Sequence, residues 1–428
     1  MDKEENKTPR IRFPEFKQDW EHKKLSDLLQ VSKKKNKDLK YSKEHVLSVS
    51  GESGIVNQIE HMGRSYAGVS VHNYGVVEIG DIVYTKSPLK SNPYGIIKLN
   101  KGLPGIVSTL YAVYKVKEDS ADGEFVEHYF SLDANTNRYL RPLVRKGAKN
   151  DMKINNEYVL HDRIYSPQKA EQKRIADFFN TIDEKIKLLL NKKHLLVEYQ
   201  KSLLKKIFNK NIRFNDDKEK QFPKWELKKY NEIYSFYTTN SLSRDKLNYK
   251  EGTVKNIHYG DIHTKYATLF DVSKEKVPFI NNEIDLSRIG QENYLQEGDL
   301  LIADASEDYK DIGKTIEVIS VNNQKITSGL HTFHARPNKY KMAVGFSGYL
   351  LQTWKVREQV MKISQGSKVL GLSKNRLGEI ELEIPCYEEQ LKITKFLSET
   401  ESQITMVESQ IVKSKLYKKS LLQQTFCY

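Results

Sequence analysis

Two cysteines in 428 residues, Cys386 and Cys427, are too few for a disulfide framework or a cysteine-ligated zinc site. Their scarcity fits a reducing cytoplasm, the expected location. No apolar run approaches the ~18 residues of a membrane helix, and the opening MDKEENKTPR is polar where a signal peptide would be apolar. No membrane partner is expected. Acidic residues are outnumbered, 56 against 70 basic ones, for a net charge of +14. A polyanion partner explains that excess, and so does a generally basic composition; charge alone does not choose. Nucleotide chemistry lacks its usual residues. There is no G-x-x-x-x-G-K-S/T phosphate loop, no G-x-G-x-x-G turn and no Asn/Asp-Pro-Pro-Tyr/Phe stretch of an adenine methyltransferase.

What remains is ample for folded domains. Hydrophobic residues make up 38% and aromatics 10%, and the length suggests two to four units. The chain also repeats itself. AEQKRIADFFNTIDEKI, from Ala170, returns as EEQLKITKFLSETESQI, from Glu388, at an offset of 218 (171 to 389). At that offset Pro167 meets Pro385, Ile175 meets Ile393, Ile186 meets Ile404 and Phe208 meets Phe426. Upstream, RFPEFKQDWEHKKL (Arg12–Leu25) resembles QFPKWELKKY (Gln221–Tyr230), which aligns the two Phe-Pro pairs. GDIVYTKS (Gly80–Ser87) parallels GDLLIADAS (Gly298–Ser306), and KGAKNDMKI (Lys146–Ile154) parallels QGSKVLGLS (Gln365–Ser373). A period this long is a duplicated domain pair and not a solenoid.

Ile175, Ile182, Leu189, Leu196 and Leu203 recur every seven residues, with Phe179 and Ile186 beside them. That is the stripe of a long helix packed on another helix. The second copy offers Ile393, Val407 and Leu421, with Leu397 and Ile404 alongside, but Thr400 and Ser414 weaken it. Pro167 and Pro385 serve as start signals. Forty residues make a rod of about 60 Å, which needs a partner for its apolar row. The other copy is the nearest partner, in either orientation.

Residues 13–165 and 222–383 read as mixed α/β, with strand-like runs such as GVVEIGDIVYT, IVSTLYAVYKV, TIEVISV and GEIELEI broken by turn residues. Their loops mix Lys, Asn, His and Tyr, the side chains that suit phosphates and base edges. Lys86, Lys90, Asn92, Arg145, Lys146 and Lys149 are the candidate contacts of the first block. Lys255, His258, Tyr259, Lys310, Lys368 and Lys374 are those of the second. Each loop by itself is more often just a loop. His331/His334 in HTFH and His258/His263 in HYGDIH have spacings that admit a metal, but without neighbouring cysteines ordinary polar histidines are preferred, and no metal site is expected. Glu307-Asp308 beside Lys310 is a charge combination frequent by chance, not a nuclease centre.

The twofold set of an F-P opening followed by Trp, a G-D-I/L element, a G-A/S-K loop and a P-x-x-x-E-Q-x-x-I helix start resembles the specificity subunit of type I restriction–modification systems. The resemblance covers nearly the whole chain. It implies two globular target recognition domains, each a mixed α+β fold with a curved β part, separated by two long antiparallel spacer helices. The expected organisation is a polar tail over 1–12, recognition domain 1 over 13–165, a central spacer helix over 166–210, a linker over 211–221, recognition domain 2 over 222–383 and a C-terminal spacer helix over 384–428. Each recognition domain would read one half of a split, asymmetric site on double-stranded DNA. The helices would set the gap and dock two modification (methyltransferase) subunits. S-adenosylmethionine, ATP and Mg would belong to those subunits and to restriction (translocase/nuclease) subunits. The chain would hold no cofactor and no active site. Two other classes stay open: a scaffold or DNA-binding protein with tethered domains outside restriction–modification, and a nuclease or methyltransferase acting alone.

Overall fold

The structure is a computed structural model and describes residues 8–68, 70–146, 152–337 and 342–426. Two long helices, Lys169–Phe208 and Tyr387–Thr425, fall within the expected spacer segments. They are not separate domains. The described residues form two compact units, 8–191 with 408–426 and 192–407, so each long helix is divided between them.

The repeated Glu-Gln pair shows why each helix begins where it does. In the first unit Glu171 is buried, and its carboxylate accepts from Arg12 Nε (2.8 Å), Arg12 Nη2 (2.8 Å) and Trp20 Nε1 (3.2 Å). The neighbouring Gln172 donates to the Pro167 carbonyl (2.9 Å) and accepts from the Asp122 amide (2.9 Å). The second unit repeats the arrangement. Glu389 accepts from Arg213 Nε (2.7 Å), Arg213 Nη2 (2.8 Å) and Trp225 Nε1 (3.1 Å). Gln390 donates to the Pro385 carbonyl (3.0 Å) and accepts from the Ala343 amide (2.9 Å). A buried carboxylate is tolerated only when its lone pairs are filled, and a guanidinium fork plus an indole N–H does this.

This clamp corrects two readings. Arg12 and Arg213 lie in segments expected to be tail and linker, yet both are built into their units. The repeated motif is Ile-Arg-Phe, Ile11–Phe13 and Ile212–Phe214, and not the aligned Phe-Pro pairs. Phe13 meets Phe178 edge-on at 5.9 Å, and Phe214, not Phe222, meets Phe396 edge-on at 5.6 Å.

Each unit then builds the same sheet. In the first, the antiparallel order is Leu29–Val31, Tyr111–Val116, Ile82–Thr85, Ile97–Leu99. In the second it is Tyr234–Tyr237, Thr332–Pro337, Leu300–Ala303, Thr315–Ser320, with Leu269–Asp271 added in parallel at the edge. The G-D element opens the central strand in both. Gly80 and Gly298 take φ of 85° and 89°, a region glycine enters without strain. Asp81 and Asp299 then accept from the Glu78 amide (2.7 Å) and the Gln296 amide (2.8 Å). Side chains alternate across the central strand as the pleat requires. Ile82 and Tyr84 enter the core shared with the long helices, and Val83 enters a second core. Leu300 and Ile302 face the helix-side core, and Leu301 and Ala303 the other. Burying one such side chain contributes ~1.5–3 kcal/mol, so this strand is a main anchor of each unit.

The helix stripe serves the blocks as well as the helix pair. Ile175 and Phe179 join Trp20, Phe125 and Tyr129 in the first core, where Leu422 and Phe426 of the second long helix also lie, with Ile182 and Leu421 at the edge. Phe179 faces Phe426 at 6.3 Å, and Asp183 pairs with Lys418 at 2.5 Å, so within this unit the helices run antiparallel. In the second unit Leu203, Ile207 and Phe208 share a core with Ile393 and Leu397. Ile175, Leu203, Ile393 and Leu397 are therefore block-core residues first, a departure from a pure helix–helix seam. Ile186, Ile404 and Val407 are buried, and Leu189 and Leu196 are half-buried.

Candidate nucleic-acid interface

The second unit brings together side chains that lie far apart in sequence. The strand Ala305–Ser306 pairs with Leu370–Gly371, and the Leu372 amide donates to the Asp304 carbonyl (2.9 Å). Gln365 bridges Gly371, which closes a hairpin that carries exposed Lys368. The Asp304 amide donates to the His331 carbonyl (3.1 Å). Tyr259 lies beside this junction, with its ring edge-on to His331 (5.3 Å) and to His263 (5.8 Å). His263 Nε2 bonds the Ala305 carbonyl (2.9 Å). Lys374 opens the helix Lys374–Gly378 with its ammonium over Phe333 (5.5 Å), near enough to Asp304 to stabilise its charge. Burial is stronger and pushes the Asp304 carboxyl up, with His331 and Lys374 pulling it down. Lys310 is exposed in the adjoining turn. The outcome is an aromatic centre with Lys374 beside it and exposed Lys310 and Lys368 on the adjoining segments. Lysines suit phosphates, and ring and polar edges suit bases.

Some expected contacts fall elsewhere. His258 is buried, and its Nδ1 accepts from the Gly260 amide (3.2 Å), capping the helix Tyr259–Thr264. Burial, with Arg244 nearby, lowers its pKa. It supports Tyr259, whose ring lies at 4.7 Å, and is not itself a surface reader. Lys255 is half-buried over Phe279 (5.2 Å), where burial pushes its ammonium down. Asp308 accepts from the amides of Lys310 and Asp311, so it forms a turn. No group of three His, Cys, Asp or Glu able to hold a metal occurs among the described residues. HTFH splits the same way: His334 is buried against Asp299 (2.8 Å), while His331 is exposed.

In the first unit Lys86 and exposed Lys90 sit in the loop after the central strand. Asn92 is buried. Its carbonyl accepts from Leu89 and Gly95 (3.0 Å each), and its side chain accepts from Ser91 Oγ (2.9 Å), so it shapes the loop from within and offers no base an edge. Ser91 in turn accepts from Asn137 (2.9 Å). Exposed Arg145 opens a short hairpin in which Arg145–Lys146 pairs with Met152–Lys153. The Lys146–Met152 pair is the counterpart of the Gln365–Gly371 bridge. Lys149 lies outside the described residues.

The two units share one framework and carry unlike side chains on equivalent loops. Residues 17–198 match the type I restriction modification DNA specificity domain, and the second block repeats the framework of the first. A Methanocaldococcus jannaschii protein assigned as the type I restriction enzyme MjaX specificity subunit is 22% identical over 403 residues, spanning 92% of this chain and 89% of that one. The fold is that of the S subunit from the type I restriction–modification system of M. genitalium, with a TM-score of 0.57 and 12% identity over 98% of this chain and 99% of that one. A chain from a structure of type I R-M complex assembly and conformational transition gives a TM-score of 0.51 at 14% identity, over 95% of this chain and 97% of that one.

Proposed function

We propose that this chain is a type I restriction–modification specificity subunit and reads a split, asymmetric site on double-stranded DNA, one half with residues 13–165 and the other with 222–383. The observation that carries this reading is one framework built twice, with the same Glu–Arg–Trp clamp and different side chains on equivalent loops. Two copies of one reader with different contacts fit two different half-sites. The long helices then set the gap between half-sites and dock two modification subunits. Those subunits supply S-adenosylmethionine-dependent adenine methylation, and restriction subunits supply ATP- and Mg-dependent translocation and cleavage. The chain directs that chemistry without performing it. Lys86, Lys90, Arg145, Lys310, Lys368 and Lys374 serve as phosphate and base contacts.

The test is methylome sequencing of a methylation-free host that expresses this chain with its cognate modification subunit. The expected result is a split motif with methyladenine in both halves, and exchange of residues 13–165 should change one half only. A well-formed complex that methylates nothing overturns the reading and favours a tethering scaffold.

A further inference from the structure

The two frames can be superposed bond by bond at one corner. In the first unit the Lys86 amide donates to the Leu110 carbonyl (2.9 Å). In the second the Asp304 amide donates to the His331 carbonyl (3.1 Å). Both bonds join the residue after the central strand to the residue before its long neighbour, Tyr111–Val116 in one unit and Thr332–Pro337 in the other. The backbone is the same and the chemistry is not: a cation and an exposed leucine at one corner, a carboxylate and an imidazole at the other.

His331 is held unusually well for a surface side chain. Its backbone sits at φ 53°, a left-handed conformation few non-glycine residues adopt. The ring is about half exposed, at 52%. Its Nδ1 lies 3.2 Å from Asp304 Oδ1, and Tyr259 packs against it at 5.3 Å. Nδ1 donates to the carboxylate, which sets the ring's orientation and leaves Nε2 with no hydrogen bond of its own among the described residues. Lys374 lies near Asp304 with its ammonium over Phe333, and Lys310 and Lys368 are exposed in the segments that adjoin the paired strands. A preoriented imidazole on an aromatic support beside a lysine is suited to reading a base edge, whereas the lysine suits the backbone.

We infer that His331 is a specificity-determining residue of the second half-site, that it reads a base edge through Nε2, and that Asp304 and Tyr259 position it. This rests on the DNA-reading function proposed above. The equivalent corner of the first unit, with Lys86 and Leu110, is then one place where the two half-sites come to differ.

The experiment uses the complex of the full chain with its modification subunit. The wild-type methylome defines the motif, and binding is then measured on duplexes altered one base pair at a time. His331→Gly removes the ring and suits the positive φ, so the fold is retained. The expected result is loss of discrimination at one base pair of the second half, about 10–100-fold, with the first half and the spacing unchanged. Asp304→Ala should blur the same base pair to a smaller degree, and Asp304→Asn, which keeps an acceptor for Nδ1, should retain more discrimination than Asp304→Ala. An unchanged motif in both His331→Gly and Asp304→Ala overturns the inference. So does a uniform loss at every position with the melting temperature retained, which would make His331 a phosphate contact. A wild-type complex that yields no split motif overturns the proposed function itself, and this inference with it.

Discussion

Glu171 and Glu389 sit in clamps that match donor for donor, whereas Lys86 and Asp304, on equally matched backbones, carry opposite charges. The difference follows from burial. A carboxylate sealed inside a unit has a narrow set of tolerable partners, so both copies solve it with an arginine fork and an indole. Lys86 and Asp304 are only half-buried, so a side chain there costs less to change and the two copies diverge. The G-D aspartate is sealed as fully as the clamp glutamate, yet its partners differ between the copies. Asp299 is met by Arg336 (2.7 Å) and His334 (2.8 Å), and although burial opposes its charge these partners hold its carboxyl below the usual range. Asp81 has Lys115 (2.9 Å) and the Glu78 amide, and there burial prevails and its carboxyl is pushed up.

The comparison can be broken most forcefully at the clamps. Arg12→Ala should leave Glu171 buried and uncompensated, and Arg213→Ala should do the same to Glu389, each at about 3–5 kcal/mol. Hydrogen exchange should show the loss confined to residues 8–191 with 408–426 in the first case and to 192–407 in the second. Equal loss in both units from either substitution would mean that they do not unfold as separate bodies.

Next in size is a pH effect expected of Glu317 in the second unit. Leu99 and Glu317 hold equivalent positions, paired with Ile82 and Leu300. Glu317 is buried and accepts from the amides of Gly345 (2.7 Å) and Gly348 (2.6 Å). Burial outweighs these bonds and raises its pKa to about 8. A carboxyl raised on folding favours the folded state below its ordinary value near 4.5, and that contribution is lost as pH climbs to about 8. The stability of the second unit should therefore fall by a few kcal/mol between those limits, as read by urea titrations across pH. Glu317→Gln should flatten the slope in the second unit and leave the pH dependence of the first unchanged.

The smallest expected effect is an ion pair of the first unit. Asp183–Lys418 joins the two long helices there, while Glu401, which follows Asp183 in the repeat, instead accepts from Tyr349 Oη (2.8 Å). Asp183→Asn should cost about 0.5–1 kcal/mol in the first unit and reduce its sensitivity to salt, measured by melting at low and high ionic strength.

How much was legible varied by element. The Glu-Gln helix start could be read because its spacing is local and recurs without a gap. The Ile-Arg-Phe repeat was missed because more residues separate it from the tryptophan in the second copy, 214 to 225 against 13 to 20, which drew the alignment to Phe-Pro. Asn92 and His258 looked like surface readers by residue type. Burial and an amide bond made them loop and helix supports, and neither shows in a linear pattern. The corner of Asp304 and His331 was invisible because its members lie in different strands and meet only when the sheet closes.

The chain by itself determined that it is a duplication, that two helices of about forty residues carry an apolar row, and that the common nucleotide-binding signatures are absent, because spacing and composition are local properties of the polymer. The tertiary structure decided which residues those helices serve, which charges are sealed and which side chains share a corner. Those outcomes depend on contacts between segments far apart in sequence, fixed only when burial demands a partner for every polar group it covers.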